Sequence, residues 1–241
     1  MGRGTELERA FEDPLTYLPR KPIQEFARRR VIYDQQQPCS GLYLVMLGRV
    51  KVASAAEDGF MTVGRIVCAE GLFGESALIG AATRSDSAVT LDDSSIMNWT
   101  RSEIEQQIER EPRLGIALSQ FLVRQGIELQ DRIESMAVHK TPERVMLALL
   151  QLAGAVGTPM ADGSTRIDSL THHTISEYVG TSREIVTFQM NRLRRMGLIR
   201  YSRKYIDIHA QAIQQALREQ GIHYVGPAAA ADTRLVASAI V

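Results

Sequence analysis

The sequence contains two cysteines, Cys39 and Cys68, and they stand far apart. No Cys-x-x-Cys pair is present to frame a zinc site, and an iron–sulfur cluster needs more thiolates than these two provide, so neither group is expected. Isolated thiols are what a reduced cytoplasmic protein carries. No apolar run reaches the roughly 18–20 residues of a membrane-crossing helix. Met1–Ala10 holds Arg3, Glu6, Glu8 and Arg9 without an apolar stretch, so no secretory signal is expected there. Gly-x-Ser-x-Gly, a phosphate-cradling Gly-rich loop with its lysine, and His-Glu-x-x-His are all missing. With no catalytic constellation, the chain is not expected to be an enzyme. An excess of one charge is missing too, since 28 Lys+Arg face 28 Asp+Glu.

What is present is the composition of a globular protein, 241 residues with 44% hydrophobic and 23% charged, enough for two domains. The zero net charge hides a split. Residues 1–140 hold 17 basic against 20 acidic residues, a net −3, and residues 141–241 hold 11 against 8, a net +3. Seven basic residues and one acid, Glu184, fall between Arg183 and Lys204, a local +6 within 22 residues. That run is either a solvated basic face or a surface for a phosphate backbone. The fold has to decide.

From Val31 to Thr100, short apolar runs alternate with turn residues: Leu42–Leu47 before Gly48, Val50–Val52, Met61–Val63 before Gly64, Ile66–Val67, Ala88–Leu91 and Ile96–Trp99. Strands of this length with glycine at the turns predict an antiparallel barrel or sandwich. Ser102-x-x-Glu105 fits a capping box for a short helix ending near Glu111, and Pro112 fits the first turn of the next. From Arg113 to about Val138 no proline interrupts, which predicts a helix of roughly 26 residues and 39 Å. Leu118, Leu122, Leu129 and Met136 share one stripe with Gln125 and Arg132, and Ile116, Phe121, Ile127 and Ile133 form a second flank. One flank for the barrel and one for a partner helix, with Gln125 setting register, predicts a parallel homodimer.

Thr141 and Pro142 then fit the cap and first turn of a helix over 143–154, with a hinge at His139–Pro142. Gly154–Gly163 reads as a loop and Thr165–Asp168 as a short strand. Thr171 caps a helix whose inner face is Ile175 and Val179. Gly180 permits a tight turn, and Ser182 caps a second helix that runs to Met196 and stops at Gly197. Two helices joined by a short glycine-containing turn make a helix-turn-helix. In the second helix Val186, Met190 and Leu193 form the core stripe, which leaves Arg183, Glu184, Thr187, Phe188 and Asn191 outward, where base-reading side chains would lie. Tyr201–Ile208 reads as a hairpin, a wing with Arg203 and Lys204 at its tip.

These segments, in this order, resemble the Crp/Fnr transcription regulators. The motifs are Gly41–Val52, Gly71-Leu-Phe-Gly-Glu75, Arg84-Ser85, Thr141–Arg144 and Val179–Val186, and the resemblance covers roughly Val31 to Ala210. It implies an α+β chain: an N-terminal antiparallel β-roll (a double-stranded β-helix or jelly roll), a long dimerisation helix and a C-terminal winged helix-turn-helix. The expected division is 1–111 for the arm and roll, 112–140 for the dimerisation helix and hinge, 141–224 for the DNA-binding domain and 225–241 for a tail. The implied function is a sequence-specific regulator working as a homodimer on double-stranded DNA, with RNA polymerase as a partner and the Gly157–Gly163 loop a candidate contact. The alternative is a regulatory subunit whose winged domain touches protein.

By the same resemblance, Arg183 and Glu184 read guanine and cytosine edges, as their donor and acceptor chemistry suits. The family's usual third reader, an arginine, is here Phe188, which can contact a thymine methyl or pack on the protein. Thr171, His172 and Ser182 are further candidate contacts near phosphate. Members that bind cyclic AMP use a Gly-Glu pair for the ribose and Arg-Ser for the phosphate, matched here by Gly74, Glu75, Arg84 and Ser85. Asp86 adds a negative charge beside that phosphate site, and Leu129 and Gln130 replace the small hydroxyl residues that meet adenine. The effector is left open between cyclic AMP, another signal and an empty pocket in which Glu75 and Arg84 pair.

Overall fold

The computed structural model describes residues 11–57, 59–168, 170–202 and 204–224. The chain divides into two compact units, residues 1–55 with 67–133, and residues 56–66 with 134–241. Strands β1 (Gln24–Phe26), β2 (Val31–Tyr33), β3 (Leu42–Leu47), β4 (Arg49–Ala55), β5 (Met61–Cys68), β6 (Leu72–Phe73), β7 (Ser87–Thr90) and β8 (Ser94–Trp99) come first. They form two four-stranded sheets, ordered β1-β8-β3-β6 and β2-β7-β4-β5. This is the antiparallel roll. Gly64, expected at a turn, lies inside β5, so Met61–Cys68 is one strand.

β3 shows how the sequence builds the roll. Side chains alternate across a strand: Tyr43 and Val45 enter a core shared with Tyr33, Val50 and Val52 of the other sheet. Leu42 and Leu44 face the opposite way, onto Trp99, Ile104, Leu114, Leu118 and Phe121. Burial on both faces explains why this strand is a continuous apolar run rather than an alternating one.

Helix α1 (Arg101–Arg110) begins earlier than the expected box. Thr100 Oγ1 accepts the Glu103 amide and Glu103 accepts the Thr100 amide, so the box is Thr100-x-x-Glu103 rather than Ser102-x-x-Glu105. The chain leaves β8 at Trp99, and the next residue is the one free to cap. Helix α2 (Arg113–Val138) has the expected 26 residues. Its buried residues are Leu114, Ala117, Leu118 and Phe121, all in the first third. Leu118 therefore belongs to the chain's own core and not to a partner-facing stripe. Beyond it Leu122, Ile127, Leu129, Ile133 and Met136 are exposed and Gln125 is half-buried. Ile116, in the same first third, is 52% exposed, so the roll covers one face of the first turns and leaves the apolar residues beyond them exposed.

The second unit holds α3 (Thr141–Val156), β9 (Thr158–Pro159), β10 (Thr165–Asp168), α4 (His172–Val179), α5 (Arg183–Arg195), β11 (Ile199–Tyr201), β12 (Tyr205–Ile208) and α6 (Ala210–Arg218). Lys140, not Thr141, stands at the N-cap of α3, and Pro142 lies in the first turn where its missing N–H costs nothing. α3 runs past Gly154 to Val156, and Thr158–Pro159 pairs with Thr165–Arg166, so the expected 154–163 loop shrinks to a hairpin turn. The sheet order is β11-β12-β10-β9. Asp207 is buried in this sheet and accepts two bonds from Arg166 at 2.7 and 2.9 Å. Residues 225–241 lie outside the described residues, as do Met1–Ala10.

Candidate nucleic-acid interface and effector pocket

Capping sets the two helices of the interface. Thr171 Oγ1 accepts the Thr174 amide at 3.1 Å, and Ser182 Oγ accepts the Ile185 amide at 3.3 Å. Each satisfies an amide that the first helical turn leaves without a partner. Gly180 takes φ +72°, a left-handed conformation open to glycine at little cost. Arg144 Nη2 donates to the carbonyls of Val179 and Gly180, tying the start of α3 to the turn. Sequence reasoning had Arg144 only as part of a motif. A guanidinium that caps the end of α4 is visible only in three dimensions.

Val186, Met190 and Leu193 are buried at 0, 0 and 4% exposure, so α5 seats the expected stripe. Each such side chain contributes about 1.5–3 kcal/mol of burial. Arg183 and Glu184 are exposed at its first turn, and Phe188 is 60% exposed. Phe188 therefore does not pack into the core. The Glu184 carboxyl is held below the usual carboxylate range by a bond from its own backbone amide, then by Ser182 and the Arg183 charge. It stays an acceptor at neutral pH.

Thr187 and Asn191 are half-buried and engaged from the side. His172 Nδ1 lies 3.0 Å from Thr187 Oγ1, and Thr187 Oγ1 donates to the Arg183 carbonyl at 2.8 Å. Tyr201 donates its hydroxyl to Asn191 Oδ1 at 2.9 Å, and its ring meets the His172 ring edge-on at 5.3 Å. Burial pushes the His172 imidazole below its ordinary pKa, and the Arg183 charge adds to this. Neutral and turned inward, His172 bridges α4, α5 and the wing, where the sequence suggested a phosphate contact. Tyr201 carried no signal beyond its place in a strand.

The basic run is less free than its count. Arg200 pairs with Asp162 and lies 3.7 Å from Asp207. Arg192, Arg194 and Arg195 lie in the last turn of α5, where positive charge also suits the helix dipole, and Arg194 and Arg195 are exposed there. Lys204 is exposed at the wing between β11 and β12, and Arg203 lies outside the described residues. Among the described residues, Arg183, the α5 arginines, Lys204 and the Asp162-paired Arg200 are exposed cations of this surface.

The roll presents the opposite picture. Arg84 is 1% exposed. Its Nη1 donates to the Gly74 carbonyl at 2.8 Å and to Ser76 Oγ at 3.1 Å, and its Nη2 donates to the Gly41 carbonyl at 2.6 Å. The guanidinium carbon lies 4.2 Å from the centre of the Tyr33 ring and 5.5 Å from that of Tyr43. Gly74, at φ +79°, makes room: a Cβ there would come 2.9 Å from both Arg84 Nη1 and the Tyr43 ring. Burial, with the neighbouring Asp86 carboxylate, raises the Tyr33 phenol pKa. Glu75 is half-buried in the turn after β6, Ser85 is exposed, and Leu129 and Gln130 are exposed on α2. So placed, Arg84 turns its Nη groups to the protein, while its Nε is buried without a hydrogen-bond partner. Among the described residues no cluster of His, Cys, Asp and Glu could hold a metal, and no helix is long and apolar enough to cross a membrane.

A cyclic nucleotide-binding domain model matches residues 23–111, and a Crp-like helix-turn-helix domain model matches residues 143–212. The transcriptional regulator SdrP of Thermus thermophilus is 30% identical, the match covering 68% of this chain and 76% of that one. The chain belongs to the Crp/Fnr family. Another relative of this family, the CRP-like cAMP-activated global transcriptional regulator of Mycobacterium tuberculosis, is 26% identical over 76% of this chain and 81% of its own. The crystal structure of a CRP/FNR family transcriptional regulator from Thermus thermophilus has a TM-score of 0.68 and 26% identity, covering 82% of this chain and 98% of that one. This Crp/Fnr protein is a DNA-binding transcription regulator, and the relatives named are regulators rather than enzymes. In this chain α5 presents Arg183 and Glu184 outward, whereas the roll turns Arg84 inward.

Proposed function

We propose that this regulator binds a roughly palindromic DNA site as a homodimer, reading each half-site with α5 and gripping phosphate with the wing. The observation that carries the reading is the outward face of α5, where exposed Arg183, Glu184 and Phe188 stand opposite a fully buried stripe and exposed Lys204 sits on the neighbouring hairpin. Arg183 suits guanine and Glu184 suits cytosine N4, and Phe188 suits a thymine methyl in place of a third guanine contact. Thr171, Ser182, Thr187 and Asn191 complete that surface. Two such helices about 34 Å apart would meet successive major grooves.

The exposed apolar residues of α2, Leu122, Leu129 and Met136 with Ile127 and Ile133, support dimerisation through its C-terminal two-thirds with Gln125 between them. A row of exposed apolar side chains of this kind is what a protein interface presents. The division of labour follows: residues 1–111 sense, 112–140 dimerise and hinge, 141–224 bind DNA. The turn over 157–163 is the surface we assign to RNA polymerase, and two cysteines outside any disulfide suit the cytoplasm.

The Mycobacterium relative is cAMP-activated by name, but here Arg84 donates to Gly41 and Gly74 carbonyls and Asp86 stands close by. We infer that the roll answers to a signal other than cyclic AMP. Selection of sites from random DNA, with and without cyclic AMP at one salt concentration, tests both parts. A palindrome recovered equally in both arms is expected. A motif appearing only with cyclic AMP would overturn the effector reading, and no motif in either arm, with no salt-dependent DNA binding, would favour protein contacts by the winged domain.

A further inference from the structure

Two of the outward candidates on α5 are held by residues outside it. Thr187 has a single hydroxyl proton, and it goes to the Arg183 carbonyl at 2.8 Å. The 3.0 Å contact with His172 must then be donated by the imidazole, which places the ring proton on Nδ1. With its proton given to the helix and a lone pair taken by His172, Thr187 offers DNA its methyl group rather than a donor. Asn191 is fixed in a complementary way. Its Oδ1 accepts the Tyr201 hydroxyl at 2.9 Å, which takes one of the oxygen's two lone pairs, fixes the amide's orientation and favours its nitrogen as the group offered to an outside partner. An unconstrained asparagine pairs with adenine through both groups at once, accepting from N6 and donating to N7. An asparagine whose oxygen is held elsewhere is instead suited to a pure acceptor, such as guanine O6 and N7 or thymine O4.

The two holding residues are themselves linked. The Tyr201 ring lies edge-on to His172 at 5.3 Å, and the Arg194 guanidinium lies 5.2 Å from the Tyr201 ring centre. The start of α4, the outer face of α5 and the first strand of the wing thus form one connected set. Nothing in the core requires it, since Val186, Met190 and Leu193 already seat the helix.

We propose that His172 and Tyr201 are positioning residues that set base specificity from outside the recognition helix: Tyr201 orients Asn191 to donate, and His172 fills an acceptor site of Thr187, whose proton the Arg183 carbonyl already takes, which favours the Thr187 methyl as the contact. The proposal rests on the reading of α5 as the base-contacting helix. It accounts for an outward face whose middle, from Thr187 to Asn191, is matched to methyl groups and acceptors rather than to adenine.

The test is site selection with the full-length protein and its Tyr201→Phe variant, followed by affinity measurements on the sites recovered. Tyr201→Phe keeps the ring and its contacts with His172 and Arg194 and removes only the hydroxyl. The expected result is a shift toward adenine at one position of each half-site, about three- to tenfold in relative affinity, with thermal stability and affinity for unrelated DNA unchanged. In an Asn191→Ala background the same substitution should change nothing. His172→Ala should alter preference at a second position, and His172→Asn, which retains a side-chain N–H donor, should restore it. If Arg183→Ala blurs the motif while Tyr201→Phe leaves every position as it was, DNA reading stands and the positioning role falls. Additive effects of Tyr201→Phe and Asn191→Ala would also overturn it. A uniform loss across all sequences from Tyr201→Phe would assign Tyr201 to the fold alone. If neither the parent nor any variant selects a sequence, it is the reading of α5 that fails.

Discussion

Arg84 and Arg183 sit in motifs of the same kind, each a short run that the family uses to grip a ligand, and the structure treats them in opposite ways. Arg84 is enclosed by two tyrosine rings and donates to two backbone carbonyls. Arg183 stands exposed at the first turn of α5 beside a Ser182 cap. The residue types alone do not separate the two cases. What separates them is whether the surrounding segment offers the guanidinium a better partner than water. Near Arg84 it does, because Gly41 and Gly74 turn their carbonyls inward and Tyr33 and Tyr43 supply ring faces. Near Arg183 no such acceptor is described, and the side chain stays available for a base edge.

The comparison is broken most sharply at Arg84. Replacing it with alanine takes the guanidinium donor from the Gly41 carbonyl, leaves the Gly74 carbonyl with the Ala77 amide alone, and opens space against Tyr33 and Tyr43. A loss of about 3 kcal/mol or more in urea unfolding is expected. A small stability loss combined with a lost response to a nucleotide would instead make Arg84 a ligand grip. Arg183→Ala should do the reverse. It should leave the melting temperature in place and weaken cognate DNA by about 1–3 kcal/mol, blurring one position of the motif. Lys204→Ala marks the contrast within the same unit, since it should weaken all DNA alike and reduce the salt slope by about one. Equal, sequence-independent losses for Arg183→Ala and Lys204→Ala would remove the distinction between base and phosphate contacts.

Phe188 sharpens the comparison on the outward side. At 60% exposure it is free to be exchanged with little effect on folding. Phe188→Arg supplies the third arginine usual in the family, and selection should then recover guanine at one further position, with discrimination of about 1 kcal/mol or more. An unchanged motif would mean that this turn of α5 stands off the DNA.

Much of this was legible in the sequence because it depends on local rules. The 26-residue helix, the Thr171 and Ser182 caps, the left-handed Gly180 and the stripe of Val186, Met190 and Leu193 follow from spacing and side-chain chemistry. The errors lie where two local solutions compete or where a contact spans many residues. Thr100 and Ser102 both satisfy the capping spacing, and only the end of β8 chooses between them. Leu118 and Leu122 share a stripe, yet one is buried on the roll and the other exposed, because the roll reaches only the first turns of α2. The inward turn of Arg84 joins residues from three strand ends. The links from His172 to Thr187 and from Tyr201 to Asn191 cross element boundaries. None of these leaves a periodic trace.

The smallest expected effect concerns His172, which lies on the inward side of the comparison although its helix start faces the DNA-binding surface. Burial lowers its folded-state pKa, and Arg183 lowers it further. In the unfolded chain the imidazole titrates near its ordinary value of about 6.5. As pH falls through that value the unfolded chain takes up the proton first, so the unfolded state binds more protons and stability declines with falling pH. The decline ends once the folded imidazole is also protonated. Above about pH 7 both states are neutral and the group contributes no slope. His172→Asn removes this titration while keeping a donor for Thr187. The drop in melting temperature between about pH 7.5 and about pH 5.5 should therefore be smaller in the variant than in the parent. His173, exposed and 3.4 Å from Glu177, is common to both proteins and cancels in the difference. Equal drops would mean that His172 is as open to solvent as Arg183, and the division between inward and outward residues would have to be redrawn at the start of α4.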